Sequence, residues 1–162
     1  MTEPEEMIEA KVAALLEAAD PGFEVVGALA PSPDGVEKVA PLSHIGVVAD
    51  LSAQNLDWIG PGVPCSYQLR VAVRVAFADD KTGSRFRSAC RAVRAALLSA
   101  TGDECDALDG DGFSCDALTL DSTVTALESL GDGDGMNKTY SATVRGRFTP
   151  PTTTTETEAE NG

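Results

Sequence analysis

The segment 66–78, SYQLRVAVRVAFA, contains the most regular alternation of apolar and polar residues in the chain. Its alternate apolar positions are Tyr67, Leu69, Val71, Val73, Val75 and Phe77. The intervening positions include Arg70 and Arg74. Because successive side chains of a strand point to opposite faces, this pattern predicts a strand with one face on a core and the other face outside it. A sheet built around such a strand leaves one face for helices to cover.

Two segments have the apolar spacing of helices, and four others have the spacing of strands. The helices are predicted at 4–19 and 84–99, and the further strands at 23–30, 44–51, 116–128 and 138–148. Ser84 is expected to be the N-cap of the second helix. The buried stripe of that helix is expected to contain Phe86, Ala89, Cys90, Val93, Ala96 and Leu97. The predicted fold class is α+β, with two helices packed on one face of a largely antiparallel sheet of about four to five strands.

The strands allow finer predictions about their faces and turns. In 44–51 the shared apolar face is Ile45, Val47, Ala49 and Leu51, and in 116–128 it is Leu118, Leu120, Val124 and Ala126. The last two strands should form a hairpin. Its Gly- and Asp-rich connection, 131–135, predicts a long mobile loop that carries Asp132 and Asp134.

Length and composition predict one domain and a tail. A chain of 162 residues is long enough to bury one core, and residues 1–148 contain all of the periodic segments. Residues 149–162 are rich in Thr and Glu and nearly free of apolar side chains. Such a segment cannot offset its ordering entropy by burial, so a disordered C-terminal tail is expected.

The charge balance limits the possible partners. The chain has 26 acidic and 12 basic residues, with a formal net charge of −14. DNA, RNA and anionic membranes would repel such a chain at long range. No apolar run approaches the roughly 18 residues that a membrane span needs. Met1 is followed by acids rather than by the basic start of a signal peptide, so a cytosol-like location is expected.

The chain contains no recognisable catalytic or cofactor motif, and no enzyme activity or cofactor is predicted. The single histidine, His44, has no neighbouring nucleophile in the sequence. The Asp-Gly repeats at 109–112 and 132–135 lack the further ligands of a calcium loop, so no metal site is expected. The four cysteines are predicted to be reduced structural thiols, with a disulfide between Cys105 and Cys115 as the alternative.

Arginines form the most informative polar pattern, and they fall into two groups. The first group lies on the non-core face of two strands and contains Arg70, Arg74, Arg145 and Arg147. The second group follows one edge of helix 84–99 and contains Arg87, Arg91 and Arg94. Both groups are candidate subunit interfaces, because cations on one surface repel one another unless an anionic partner covers them. The alternative is a solvated surface, balanced in the sheet by Asp121 and Glu128.

Three segments, in this order, carry a resemblance to a known family. They are HIGVVADLSAQNLDW at 44–58, YQLRVAVRVAFADDKTGSRFRSACRAVRAALLS at 67–99 and NKTYSATVRGRF at 137–148. Over residues 5–148 the chain resembles the tail terminator, or minor tail, proteins of long-tailed bacteriophages. The resemblance implies helices on one antiparallel sheet, no catalysis, and a hexameric ring held together through sheet edges and helix faces. It also implies a virion location at the head-proximal end of the tail, with assembly in the host cytoplasm.

The partners implied by this resemblance are other copies of the chain, the tail tube protein and the head–tail connector proteins. DNA would pass through the ring without specific binding, which the acidic composition favours. Three other functions stay open at this point. They are a neck or head-to-tail connector protein, an acidic monomeric binding module, and a small enzyme that uses Cys90 or Cys65.

Overall fold

A computed structural model describes most of the chain. The described residues are 4–27, 43–54, 62–101, 108–110, 112–130 and 133–149. The elements are α1 (Pro4–Ala18), β1 (Val25–Gly27), β2 (His44–Gln54), β3 (Val63–Ala76), α2 (Ser84–Ser99), β4 (Phe113–Leu130) and β5 (Gly133–Phe148). The predicted order of helix, three strands, helix and two strands is confirmed. Residues 150–162 of the predicted tail lie outside the described residues.

The five described strands form one sheet in the order β1-β2-β3-β5-β4. Only the short β1 runs parallel to its neighbour, and the other adjacent pairs are antiparallel. The strand with the clearest alternation, β3, lies at the centre and pairs with β2 on one side and β5 on the other. The α+β class and the mostly antiparallel sheet are therefore confirmed.

Both helices cover the same face of the sheet. α1 lies against β1 and β2, whereas α2 lies against β3 and β5. The predicted buried stripe of α2 is confirmed in full, and it joins buried residues of α1 in one hydrophobic cluster. From β3 the buried set is Cys65, Tyr67, Leu69, Val71, Val73 and Val75. The opposite face of the sheet, called the outer face below, has no helix on it in the described part of the chain.

Two predictions about local structure are wrong, the N-cap at Ser84 and the place of Phe77 on the buried face of β3. Ser84 is the first residue of α2 and not its cap, since Gly83 holds the cap position with a φ of 77°. The free amide of Phe86 donates instead to the buried carboxylate of Asp80, at 2.7 Å. Leu51 and Phe77 are 45% and 43% exposed. Phe77 lies beyond the end of β3 and so has left the strand, whereas Leu51 still pairs with Tyr67 ahead of the register shift in β2 and keeps its predicted face although it is exposed.

The predicted face of β4 is correct only in its first half, because β4 contains two register shifts. One falls between Cys115 and Ala117, and the other between Leu120 and Ser122. Each bulge adds one residue and reverses the alternation beyond it. Leu118 and Leu120 are therefore on the helix side, whereas Val124 and Ala126 lie on the outer face, opposite Thr139 and Asn137. The expectation that these four residues share a face is wrong.

The predicted hairpin between β4 and β5 is confirmed, but the long loop is not. The strands continue to Leu130 and Gly133, which pair with each other. Asp134 thus lies within β5, and its carbonyl accepts a hydrogen bond from the amide of Phe77 at 3.0 Å. Asp134 is therefore not part of a loop, and Asp132 lies outside the described residues.

A buried carboxylate connects α1 to the edge of β2. Glu9 is 4% exposed, and its side chain accepts a hydrogen bond from the amide of Ala49 at 2.9 Å. In β2 the amide of Ile45 points toward β1, where it donates to the carbonyl of Glu24, and the amide of Ala49 points the same way. The pairing with β1 ends at Val47, so Glu9 supplies the acceptor that a longer β1 would have provided.

Burial raises the pKa of Glu9 above its ordinary value of 4.5. The hydrogen bond from Ala49 opposes this rise, and nearby Asp50, Glu6 and Glu5 add to it. Because the folded state retains the proton more strongly, the contribution of Glu9 to stability is largest below pH 4.5. It is lost as the pH rises through the raised pKa.

We therefore expect Glu9→Gln, which keeps an oxygen acceptor and removes the charge, to raise the free energy of unfolding at neutral pH. Its stability should also fall less than that of the wild type as the pH rises from 4.5 to 8. Glu9→Ala leaves the buried amide of Ala49 without an acceptor and should cost about 1–3 kcal/mol. Urea unfolding across this pH range measures both effects. Parallel pH profiles for the wild type and Glu9→Gln would contradict the assignment.

Candidate subunit interface

The cysteine side chains that the structure describes lie in the protein interior. Cys65, Cys90 and Cys115 are buried thiols outside any disulfide, so the alternative disulfide between Cys105 and Cys115 is wrong. Burial raises the pKa of the Cys65 and Cys90 thiols, which lowers the fraction of reactive thiolate at neutral pH. Cys105 lies outside the described residues. The only histidine, His44, is half-buried in β2 opposite Arg74.

The acidic residues near the start of β4 also have structural partners. Asp109 accepts a hydrogen bond from the amide of Cys115 at 2.6 Å and so organises the entry to the strand. Asp111 lies outside the described residues. No group of three or more His, Cys, Asp or Glu among the described residues is arranged to hold a metal ion.

The four sheet arginines lie on the outer face, but they are spread along it. In register, Arg74 is opposite Asn137 and Arg70 is opposite Ser141. Further along the same two strands, Arg145 and Arg147 lie opposite Ser66 and Pro64. At about 3.3 Å per residue the group extends over most of the sheet rather than forming one cluster.

Acids of the same sheet balance two of these arginines. Arg70 pairs with Asp50 at 3.1 Å, and Arg147 pairs with Asp116 at 3.6 Å. All four side chains are about half exposed, so each pair contributes at most about 1 kcal/mol. The expected partner Asp121 instead accepts a hydrogen bond from the hydroxyl of Thr143. The outer face therefore fits a solvated surface, balanced by acids of the same sheet, better than it fits a subunit interface.

The helix arginines differ, because they form a compact exposed row. Arg87, Arg91 and Arg94 are all exposed, and Leu98, 44% exposed, continues the row at the end of the helix. In the described part of the chain, none of the three guanidinium groups takes part in an ion pair or hydrogen bond. Helical spacing places these residues on one stripe about 10 Å long from Arg87 to Arg94.

The contacts of α2 show which way this row faces. On one flank of the helix, Arg85 donates to the carbonyl of Gly22 and lies 4.5 Å from the ring centre of Phe23, on the α1 side. On the other flank, the carbonyl of Cys90 accepts a hydrogen bond from the hydroxyl of Tyr140 in β5 at 3.0 Å. At 100° per residue the arginine row adjoins the Cys90 flank. It therefore faces the β4 side of the molecule.

Beyond the row, the helix side of the sheet is open. Past the second bulge, Thr123, Thr125 and Leu127 pair with Tyr140, Lys138 and Met136, whose strand positions face the helices. All three β4 residues are exposed, Leu127 by 72%. Lys138 lies with its amine 5.6 Å from the ring centre of Tyr140 and adds a fourth cation. We call this region the α2–β4 surface: Arg87, Arg91, Arg94, Leu98, Thr123, Thr125, Leu127 and Lys138.

The structure thus separates the two arginine groups that the sequence analysis proposed. The helix row is on the covered side of the sheet and the strand group is on the outer face, so they cannot belong to one continuous patch. Sequence reasoning missed the β4 contribution, because the bulge at Asp121 brings Leu127 to the helix side. Nothing in the sequence marks Thr123, Thr125 or Lys138 as neighbours of α2.

Compared with protein-family models and with curated protein sequences, the chain matches none of them. Neither helix in the described part of the chain is long and apolar enough to cross a membrane.

The burial of the three described thiols has a measurable consequence. In a Cys105→Ser variant at neutral pH, we expect iodoacetamide to alkylate the folded protein much more slowly than the urea-unfolded protein. The reasons are low accessibility and the raised pKa of Cys65 and Cys90. Mass spectrometry of the time course gives the rates. A thiol that reacts as fast in the folded as in the unfolded state would contradict this and revive the thiol-enzyme hypothesis.

Proposed function

We propose that the chain is a structural virion protein, a tail terminator that forms a ring on the phage tail tube and provides the surface for head attachment. The observation that carries this proposal is the α2–β4 surface together with the edge of β4. Among the described strands, none pairs with the outer edge of this 18-residue strand. A long uncovered edge beside an exposed apolar and cationic surface is suited to contact with another subunit.

The distribution of protective features along β4 supports the same proposal. Bulges and charges normally discourage unwanted pairing at a sheet edge. In β4 both bulges and two of the three acids, Asp116 and Asp121, lie in the first half of the strand, and the third acid, Glu128, lies close to its end. From Ser122 to Leu130 the pairing with β5 continues without a register shift, and this segment contains no proline or lysine. The second half of β4 is therefore a regular template for another chain.

The remaining features fit a structural role. Within the described residues the cysteine thiols are buried, and burial raises the pKa of Cys65 and Cys90, which disfavours a thiolate nucleophile. A ring made of chains with a net charge of −14 would also repel the phosphates of passing DNA, so the DNA would not stick to it. The resemblance over residues 5–148 supplies the place of the ring, at the joint between tail and head.

The proposal predicts closed oligomers and a specific attachment site. At micromolar concentration we expect sedimentation velocity to show one oligomer, and negative-stain images to show rings with a central hole. When mixed with purified tail tubes that lack their terminator, the rings should bind the tube end. Rings that bind only capsid portals would favour the connector alternative. A monomer that leaves the tubes unchanged would favour the binding module.

A matched pair of variants tests whether the helix side of β4 takes part. Leu127→Lys places a charge on the α2–β4 surface, whereas Val124→Lys places the same charge on the outer face of the same strand. Both side chains are more than half exposed, so both variants should remain folded by circular dichroism. We expect Leu127→Lys to weaken association by about tenfold or more, and Val124→Lys to weaken it less. The reverse ranking would place the interface on the outer face.

A further inference from the structure

We infer that the ring is built head to tail, with the α2–β4 surface of each copy against an acidic row on α1 of the next copy. This inference rests on the proposed ring. We call the second surface the α1 acid row and define it by Glu6, Ala10, Ala13 and Glu17. The partner is thus a second copy of this chain, and the contact joins two different surfaces.

The α1 acid row is a single stripe that faces away from the core. Its members are spaced by four, three and four residues, which places them along one side of a helix. Glu6, Ala10 and Glu17 are exposed, and Ala13 is partly exposed. The buried side of the same helix contains Ile8, Val12 and Leu16. The row is therefore available to a partner.

The two surfaces lie at opposite ends of the sheet. α1 covers β1 and β2, the first two strands in the sheet order, whereas the arginine row of α2 faces β4, the last strand. Surfaces at opposite ends can meet when one copy follows another, and repetition of that contact closes into a ring if the rotation allows. A two-fold contact of the α2–β4 surface with itself would place arginines against arginines.

The charges of the two helices are complementary to an unusual degree for one chain. α2 contains four arginines and no acid, although acids outnumber bases 26 to 12 in the whole protein. α1 contains four glutamates and one lysine. Charge complementarity of this kind selects the partner and fixes its orientation more than it raises affinity. The alanines of the acid row permit close approach, and Leu98 and Leu127 add apolar area.

Charge reversal tests the contact, because each reversal gives a chain with two surfaces of the same sign. The first variant is Arg87→Glu with Arg91→Glu and Arg94→Glu, which leaves three acids and one cation on the α2–β4 surface, and the second is Glu6→Lys with Glu17→Lys. We expect each variant alone to remain folded and to associate at least about tenfold more weakly than the wild type. An equal mixture should recover rings in which the two variants alternate, since every contact then joins opposite charges.

A matched control reverses three exposed cations outside both surfaces, Lys81→Glu with Arg145→Glu and Arg147→Glu. This control should assemble as the wild type does, which separates a local contact from a general effect of net charge. Sedimentation velocity and native mass spectrometry of each variant and of the mixture give the stoichiometry, and circular dichroism checks folding.

The outcomes separate this inference from the proposed function. Recovery in the mixture, without recovery in either variant alone, is the expected result. If both variants form rings as readily as the wild type, or if the mixture stays monomeric, the head-to-tail contact is wrong although the wild-type ring and its binding to tail tubes stand. If the wild type itself is monomeric and does not bind tubes, the ring and the contact are both wrong.

Discussion

The double pairing of β3 is the constraint on which the rest of the fold depends. β3 pairs along its length with β5 and over most of its length with β2, so its buried face forms the centre of the sheet surface that the helices cover. Both helices pack on this surface, and the hydroxyl of Tyr140 holds α2 against β5 by donating a hydrogen bond to the carbonyl of Cys90. Since α2 is held over β3 and β5, it leaves β4 open on the same side. The exposed surface is thus a direct result of how the core is filled.

The sequence predicts the core well wherever periodicity continues without interruption. Every residue of the expected α2 stripe is buried, as are the alternate apolar positions of β3 from Tyr67 to Val75. The errors occur where one residue changes the phase or ends the strand, as with Asp121 in β4 and Phe77 after β3. A bulge is set by local hydrogen bonding and leaves no mark in the alternation before it. The capping role of Asp80 was missed for a related reason, since it depends on a turn whose shape the residue types alone do not specify.

For the candidate interface, the spacing of residues within one helix was informative, whereas contacts between strands could not be predicted from the sequence. The spacing of Arg87, Arg91 and Arg94 predicts one exposed edge, and the structure places them on one exposed stripe of α2. The sheet arginines look equally promising in the sequence, yet Arg70 and Arg147 have acidic neighbours in the folded chain. The partner Asp50 lies on a different strand, and only the register between β2 and β3 brings it to Arg70. Tertiary pairing therefore decides which cations need an external partner.

The bulge at Asp121 divides β4 into two parts that differ in packing. Before it, side chains such as Leu118 fill the interior, where a change of volume by one methylene group is felt and only similar shapes are tolerated. After it, Leu127 lies on the helix side but is exposed to solvent, where volume is less restricted and surface chemistry matters instead. The first part should therefore vary slowly and keep its shape among relatives. The second can diverge in concert with whatever surface it contacts, so compensating pairs of changes should concentrate there.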